Sequence, residues 1–132
     1  MDDRVRAFLE RHHAAVMVTL KDDGTPHVAR VGIGLVDGKL WSSGTRTRVR
    51  TGHLRRDPRS SLFVMDDADA YAWLGLETVV TIHDGDEAVD RNLALYRVLA
   101  GEPDDLGEYR AAMVRDERLI YEFAVLRAYG QY

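Results

Sequence analysis

No cysteine occurs among the 132 residues, which excludes disulfides, thiolate-bound metals and a cysteine nucleophile. Long hydrophobic runs are missing too. The longest, such as Ala14–Leu20, fall far short of a membrane span, so no membrane association is expected. Met1-Asp2-Asp3-Arg4-Val5-Arg6 lacks a basic start followed by an apolar run, so a cytoplasmic protein is expected. The histidines at 12, 13, 27, 53 and 83 have no metal-ligand spacing, and Ser42-Ser43 lacks the G-x-S-x-G elbow of a nucleophilic serine. There is no glycine-rich P-loop, no repeat and no linker. A single soluble domain over residues 1–132 is the expectation, with no metal.

What the chain does contain is concentrated positive charge. Six arginines (46, 48, 50, 55, 56 and 59) stand within fourteen residues against Asp57, in a chain whose net charge is −4. Such a concentration usually has an anion to hold. Between residues 42 and 62 there is no aromatic side chain on which a base could stack, and the rest of the surface would repel a polyanion. Nucleic acid is therefore disfavoured, and a compact phosphate-bearing small molecule is preferred.

The patterning is mainly β with peripheral helices. Val5, Phe8, Leu9 and His12 share a helical face over Asp3–His12. A buried strand at 15–20 runs into the hairpin turn Asp23-Gly24. His27, Ala29, Val31, Ile33 and Leu35 alternate along one strand from His27 to Val36, and Asp37-Gly38 turns it into Lys39–Gly44. Val49–Arg56 reads as two helical turns ended by Asp57-Pro58. Strands follow at about Ser60–Met65 and Ala70–Ile82, the second bent or bulged near Gly75. Two helices come next, one with Val89, Leu93, Tyr96 and Ala100 inward, the other over Leu106–Arg115 with Leu106, Tyr109 and Met113 inward. Leu119–Tyr129 closes the sheet. Six strands in mostly hairpin order give a small antiparallel barrel.

Arg46, Arg48 and Arg50 alternate with Thr45, Thr47 and Thr51 where a strand passes into a helix. Guanidinium forks, hydroxyls and the amides of a helix N-terminus all favour phosphate. Arg48 and Arg50 are the chosen pair, and Arg55, Arg56 and Arg59 are assigned to surface carboxylates. Gly32, Gly34, Gly44 and Gly75 either let a flat ring approach the backbone or bend the sheet. Trp41, Tyr71 and Trp73 suit core or interface packing.

The order Asp23-Gly24-Thr25-Pro26-His27-Val28, Leu40-Trp41-Ser42-Ser43, Arg48-Val49-Arg50-Thr51-Gly52-His53-Leu54-Arg55-Arg56-Asp57-Pro58 and Trp73-Leu74-Gly75 resembles the pyridoxamine 5′-phosphate oxidase-like split-barrel family. It is most similar to the branch that uses the deazaflavin coenzyme F420, and the resemblance extends from about residue 5 to residue 130. It implies a six-stranded antiparallel split β-barrel of the FMN-binding type, a homodimer with cofactor sites at the subunit interface, and hydride transfer from reduced F420 to a small unsaturated or conjugated acceptor. FMN is the alternative cofactor, and a non-catalytic flavin- or haem-binding protein the alternative role. By the same resemblance Arg48 and Arg50 hold the cofactor phosphate. Thr51, Ser42, Ser43, Gly44 and Thr45 line phosphate and ring, Val31 flanks the ring, and Tyr71 and Trp73 reach the partner's site. His53 stands where the family commonly has asparagine, and Arg50 where it commonly has lysine. No catalytic acid or base is assigned.

Overall fold

The computed structural model describes every residue, Met1–Tyr132. Four helices and seven strands follow in the order α1 (Asp3–Arg11), β1 (Ala14–Leu20), β2 (Pro26–Gly32), β3 (Gly34–Val36), β4 (Lys39–Thr45), α2 (Val49–Arg56), β5 (Arg59–Met65), β6 (Trp73–His83), α3 (Ala88–Ala100), α4 (Leu106–Arg115) and β7 (Arg118–Gln131). All strands belong to one antiparallel sheet ordered β2-β1-β5-β6-β7-β4-β3.

Seven strands replace the expected six because the single strand expected over His27–Val36 changes partner midway. Up to Gly32 it pairs with β1; from Gly34 it pairs with β4. These halves occupy opposite ends of the sheet order, so one residue, Ile33, joins the two edges and curls the sheet into a split barrel. Ile33 is fully buried, its N–H donates to the His13 carbonyl at 2.8 Å, and its own carbonyl is bonded to the His13 ring at 3.0 Å. The Ser42 hydroxyl donates to the Gly32 carbonyl at 2.7 Å and ties β4 to β2 across the same seam.

The inward alternation read from the sequence is observed. Val31 and Ile33 join Met17, Leu62, Leu74, Leu76, Leu119 and Tyr121 in the barrel core, which α1 plugs with Val5, Phe8 and Leu9. Asp2 caps α1 by accepting from the Val5 N–H at 2.8 Å. Three expectations shift. β6 begins at Trp73, because Asp66 accepts the Ala68 and Asp69 N–H groups and holds the preceding residues in a turn. The register irregularity falls between Glu77 and Thr78 rather than at Gly75. In α3 the buried residues are Ala88, Asn92, Leu93 and Leu95, and α4 buries none of its residues, Leu106 being exposed. α3 lies against β3, β4 and β7, and α4 against α3 and β7, so their inward faces follow these neighbours rather than their own apolar count.

No helix is long and apolar enough to cross a membrane.

Candidate functional site

The arginine-rich segment divides into two classes once its partners are known. Arg46 and Arg55 both reach Asp84, at 2.8 and 3.4 Å. Arg56 pairs with Asp22, and Arg59 grips Asp57 at 2.7 Å, holding that carboxyl down at about 2. Arg48 and Arg50 form no ion pair at all. The assignment of Arg55, Arg56 and Arg59 to surface carboxylates is observed, and Arg46 joins them because its partner, Asp84, lies outside the segment.

Arg48 is the N-cap of α2, with extended backbone and no side-chain cap hydrogen bond. The helix therefore starts with no side chain satisfying its first amides, an arrangement that suits an anion. Arg50, in the first turn, is half-buried, and its Nε is buried without a hydrogen-bond partner. Burial lowers its pKa; the nearby Tyr121 opposes that effect, while Arg48 and Arg118 reinforce it. Its guanidinium carbon lies 6.0 Å from the centroid of the Tyr121 ring, within reach of a cation–π contact.

Tyr121 and Arg118 are the functional candidates that sequence reading missed. Arg118 opens β7 opposite Thr45, has no carboxylate partner, and carries a second buried, unpartnered Nε. No spacing rule connects residue 118 to residues 48 and 50. The sheet does so by pairing β7 with β4. Thr45, Thr47, Arg48 and Arg118 line an open cleft of about 510 Å3, with Arg115, Asp116 and Glu117 on its other side. Arg48, Arg50 and Arg118 are thus like charges held near one another, one of them partly desolvated. A bound anion would relieve their repulsion and satisfy their free N–H groups.

The remaining expected site residues are placed as follows. Thr51 is completely buried: its hydroxyl donates to the Thr45 carbonyl at 2.6 Å and is hydrogen-bonded to the Tyr121 hydroxyl. It fixes the strand-to-helix junction rather than presenting a free donor. Gly44 lies against the Tyr121 ring, where a Cβ would collide with it. Ser42 faces the barrel seam, while Ser43 faces outward and donates to the Asn92 amide oxygen under α3. Thr45 lies at the cleft, 3.3 Å from the Thr47 hydroxyl. Val31 points into the core. His53 is buried on the opposite side of α2, its Nδ1 2.9 Å from the Thr19 hydroxyl and its ring 5.2 Å from that of His27. Burial lowers its pKa, and the charges of His27 and Arg56 add to the effect.

Gly32 and Gly34 are occupied from within the chain. A Cβ on Gly34 would meet Val98 and Leu95 of α3 at 3.1 and 3.2 Å, and one on Gly32 would meet Leu99 at 3.5 Å. Gly34 allows a helix, not an open surface, to approach the sheet closely, whereas at Gly32 the added carbon would make ordinary contact. Gly75 is covered by the Tyr129 ring in the same way. Trp73 stacks on Phe63 at 5.2 Å and meets Tyr129 edge-on at 5.9 Å, whereas Tyr71 is 82% exposed in the turn before β6.

Comparison with known proteins agrees with this architecture. The chain is 28% identical over 131 residues to an F420H(2)-dependent biliverdin reductase of Mycobacterium tuberculosis, covering 98% of this chain and 88% of the relative. Its fold matches a solved F420 reductase with a TM-score of 0.77, at 21% identity and 96% coverage of both chains. It also matches a haem storage protein of Vibrio cholerae with a TM-score of 0.74, at 11% identity, covering 98% of this chain and 93% of that one. The family model described as pyridoxamine 5′-phosphate oxidase matches residues 1–132. With a split barrel built from a strand that changes edges at Ile33, the chain belongs to the pyridoxamine 5′-phosphate oxidase family.

Proposed function

We propose that this chain is an oxidoreductase that uses reduced coenzyme F420 to reduce a small unsaturated or conjugated acceptor. The observation that carries the reading is the pair Arg48 and Arg50, free of carboxylate partners where β4 passes into α2, in a chain that neutralises every other arginine of that segment. The unsatisfied Arg50 Nε fits a phosphate, because a phosphate oxygen supplies the acceptor that this buried donor lacks. The relative named as an F420H(2)-dependent reductase supports the choice of deazaflavin.

Arg48 and Arg50 would hold the phosphate, with the amides at the start of α2 adding their partial positive charge. Thr51 and Tyr121 keep that junction rigid through their shared hydroxyl contact. When bound, the reduced deazaflavin supplies the hydride; the protein binds, orients and excludes water. FMN carries the same ribityl phosphate, so the same two arginines suit it, and it is the competing cofactor.

The outer face of the sheet supports a homodimer. Val28 (62% exposed), Leu126 (68% exposed), Phe63, Met65 and Tyr129 are exposed on β2, β5 and β7, where no helix covers them. A cleft of about 330 Å3 joins Val18, Leu20 and Leu126 to the polar residues Arg59, Ser61 and Glu77. Exposed apolar side chains of this kind, interspersed with the Glu77–Arg127 pair, suit an association surface, and a second copy of the chain would bring its Tyr71 and Trp73 towards the neighbouring site.

Titration with F420 and with FMN, each followed by fluorescence, tests the assignment. Tighter binding of F420 is expected, followed by turnover with reduced F420 and an acceptor. Protein that binds only FMN would replace the cofactor, and protein that binds neither would overturn the reading.

A further inference from the structure

Between α3, α4 and the outward side of β4 lies a cavity of about 280 Å3. Leu95, Leu99 and Met113 give it apolar surface, and the Tyr96 and Tyr109 rings, 4.9 Å apart, form one wall. Its polar floor is already saturated. The Ser43 hydroxyl donates to the Asn92 oxygen, and the Asn92 amide donates to the Ala88 and Leu119 carbonyls at 2.9 and 3.4 Å. The remaining polar groups are the Tyr96 and Tyr109 hydroxyls and Arg118, whose buried Nε has no partner and which also lines the cleft of Arg48. The roof is α4, which supplies Tyr109 and Met113 yet buries none of its own residues. Tyr109 meets the Tyr96 ring, and Tyr109 and Met113 are only half-buried.

We infer that this cavity is a second ligand pocket, for a planar conjugated monocarboxylate whose carboxylate is held by Arg118 and whose unsaturated body lies among Leu95, Leu99 and Met113. A single cation beside aliphatic and aromatic walls selects an anionic end and an apolar body. The volume is near the lower end of small-molecule pockets, roughly 300–1,000 Å3, so the ligand is small. Because Arg118 also faces the cleft of Arg48, the pocket adjoins the proposed phosphate site. In the reaction proposed above, and resting on that reading, this ligand is the acceptor. Its C=C bond takes a hydride from reduced F420 at one carbon and a proton from water at the other, leaving a saturated CH–CH unit and oxidised F420.

The test is isothermal titration of cofactor-free protein with trans-cinnamate and with methyl trans-cinnamate, which lacks the charge. Wild type is expected to bind the acid about tenfold or more tightly than the ester. Arg118→Gln should abolish that preference, and Met113→Trp, which fills the cavity, should abolish binding of both compounds. Should Met113→Trp fail to fold, Leu99→Phe fills the same space. Arg50→Ala should retain the preference, since Arg50 does not line this cavity. Equal binding of acid and ester, a preference that survives Arg118→Gln, or full binding in the cavity-filled variants would overturn the inference. So would loss of cinnamate binding in Arg50→Ala, which would place the carboxylate in the phosphate site. Conversely, a correct cinnamate pattern with F420 affinity unchanged in Arg50→Ala would retain this pocket and remove the cofactor reading.

Discussion

Replacing Arg50 with alanine perturbs the proposed cofactor site at its most informative point. The side chain is half-buried, has no carboxylate partner and carries an unsatisfied Nε, so its removal breaks no ion pair and opens no packed core. What it removes is a charge-assisted hydrogen bond to phosphate, worth about 1.5–3 kcal/mol. That corresponds to a loss of roughly ten- to 150-fold in Kd. Removing Arg50 also relieves its repulsion with Arg48 and Arg118 in the unliganded protein, which stabilises the free state and favours the upper half of that range. The assay is quenching of F420 fluorescence on titration with protein. Arg55→Ala serves as the control, because Arg55 already reaches Asp84, and its affinity should stay within about twofold of wild type. Undiminished affinity in Arg50→Ala, or equal damage from Arg55→Ala, would refute the assignment.

Three further outcomes follow from the structure. Gly44→Ala drives a Cβ into the Tyr121 ring and should destabilise the fold by roughly 1–3 kcal/mol in thermal unfolding; Gly52→Ala, inside α2 with nothing within 4 Å of the added carbon, should instead stabilise by about 0.5–1 kcal/mol. Buried His53 ionises below the usual histidine value of about 6.5, so below that pH the unfolded chain binds a proton that the folded chain resists, and stability falls with acid; His53→Gln should flatten the decline in Tm between neutral and mildly acidic pH. Sedimentation or light scattering should give about twice the 14.9 kDa chain mass, and Leu126→Arg on the exposed outer face should shift it towards the monomer.

Much of this fold was legible in the sequence because local patterns and tertiary structure agree. The alternation His27–Ala29–Val31–Ile33–Leu35 does mark the inward face, and Asp57-Pro58 does end α2 after Arg56. The division of that strand at Ile33 was not legible, since alternation continues unbroken through the exchange of β1 for β4 as partner. The inward face of α3 was misjudged at Asn92. A polar residue there is buried because Ser43 and the Ala88 and Leu119 carbonyls satisfy it, and those partners are set by docking onto the sheet. Of the site, the basic segment and its strand-to-helix position could be read directly. That Thr51 turns inward, and that Arg118 and Tyr121 arrive from the last strand, depends on contacts between residues about seventy positions apart.

Co-crystallisation with F420 gives the most direct test. The phosphate is predicted within about 2.7–3.0 Å of guanidinium nitrogens of both Arg48 and Arg50, at the N-terminus of α2. A phosphate bound elsewhere on the barrel, with both guanidiniums left in solvent, would contradict it.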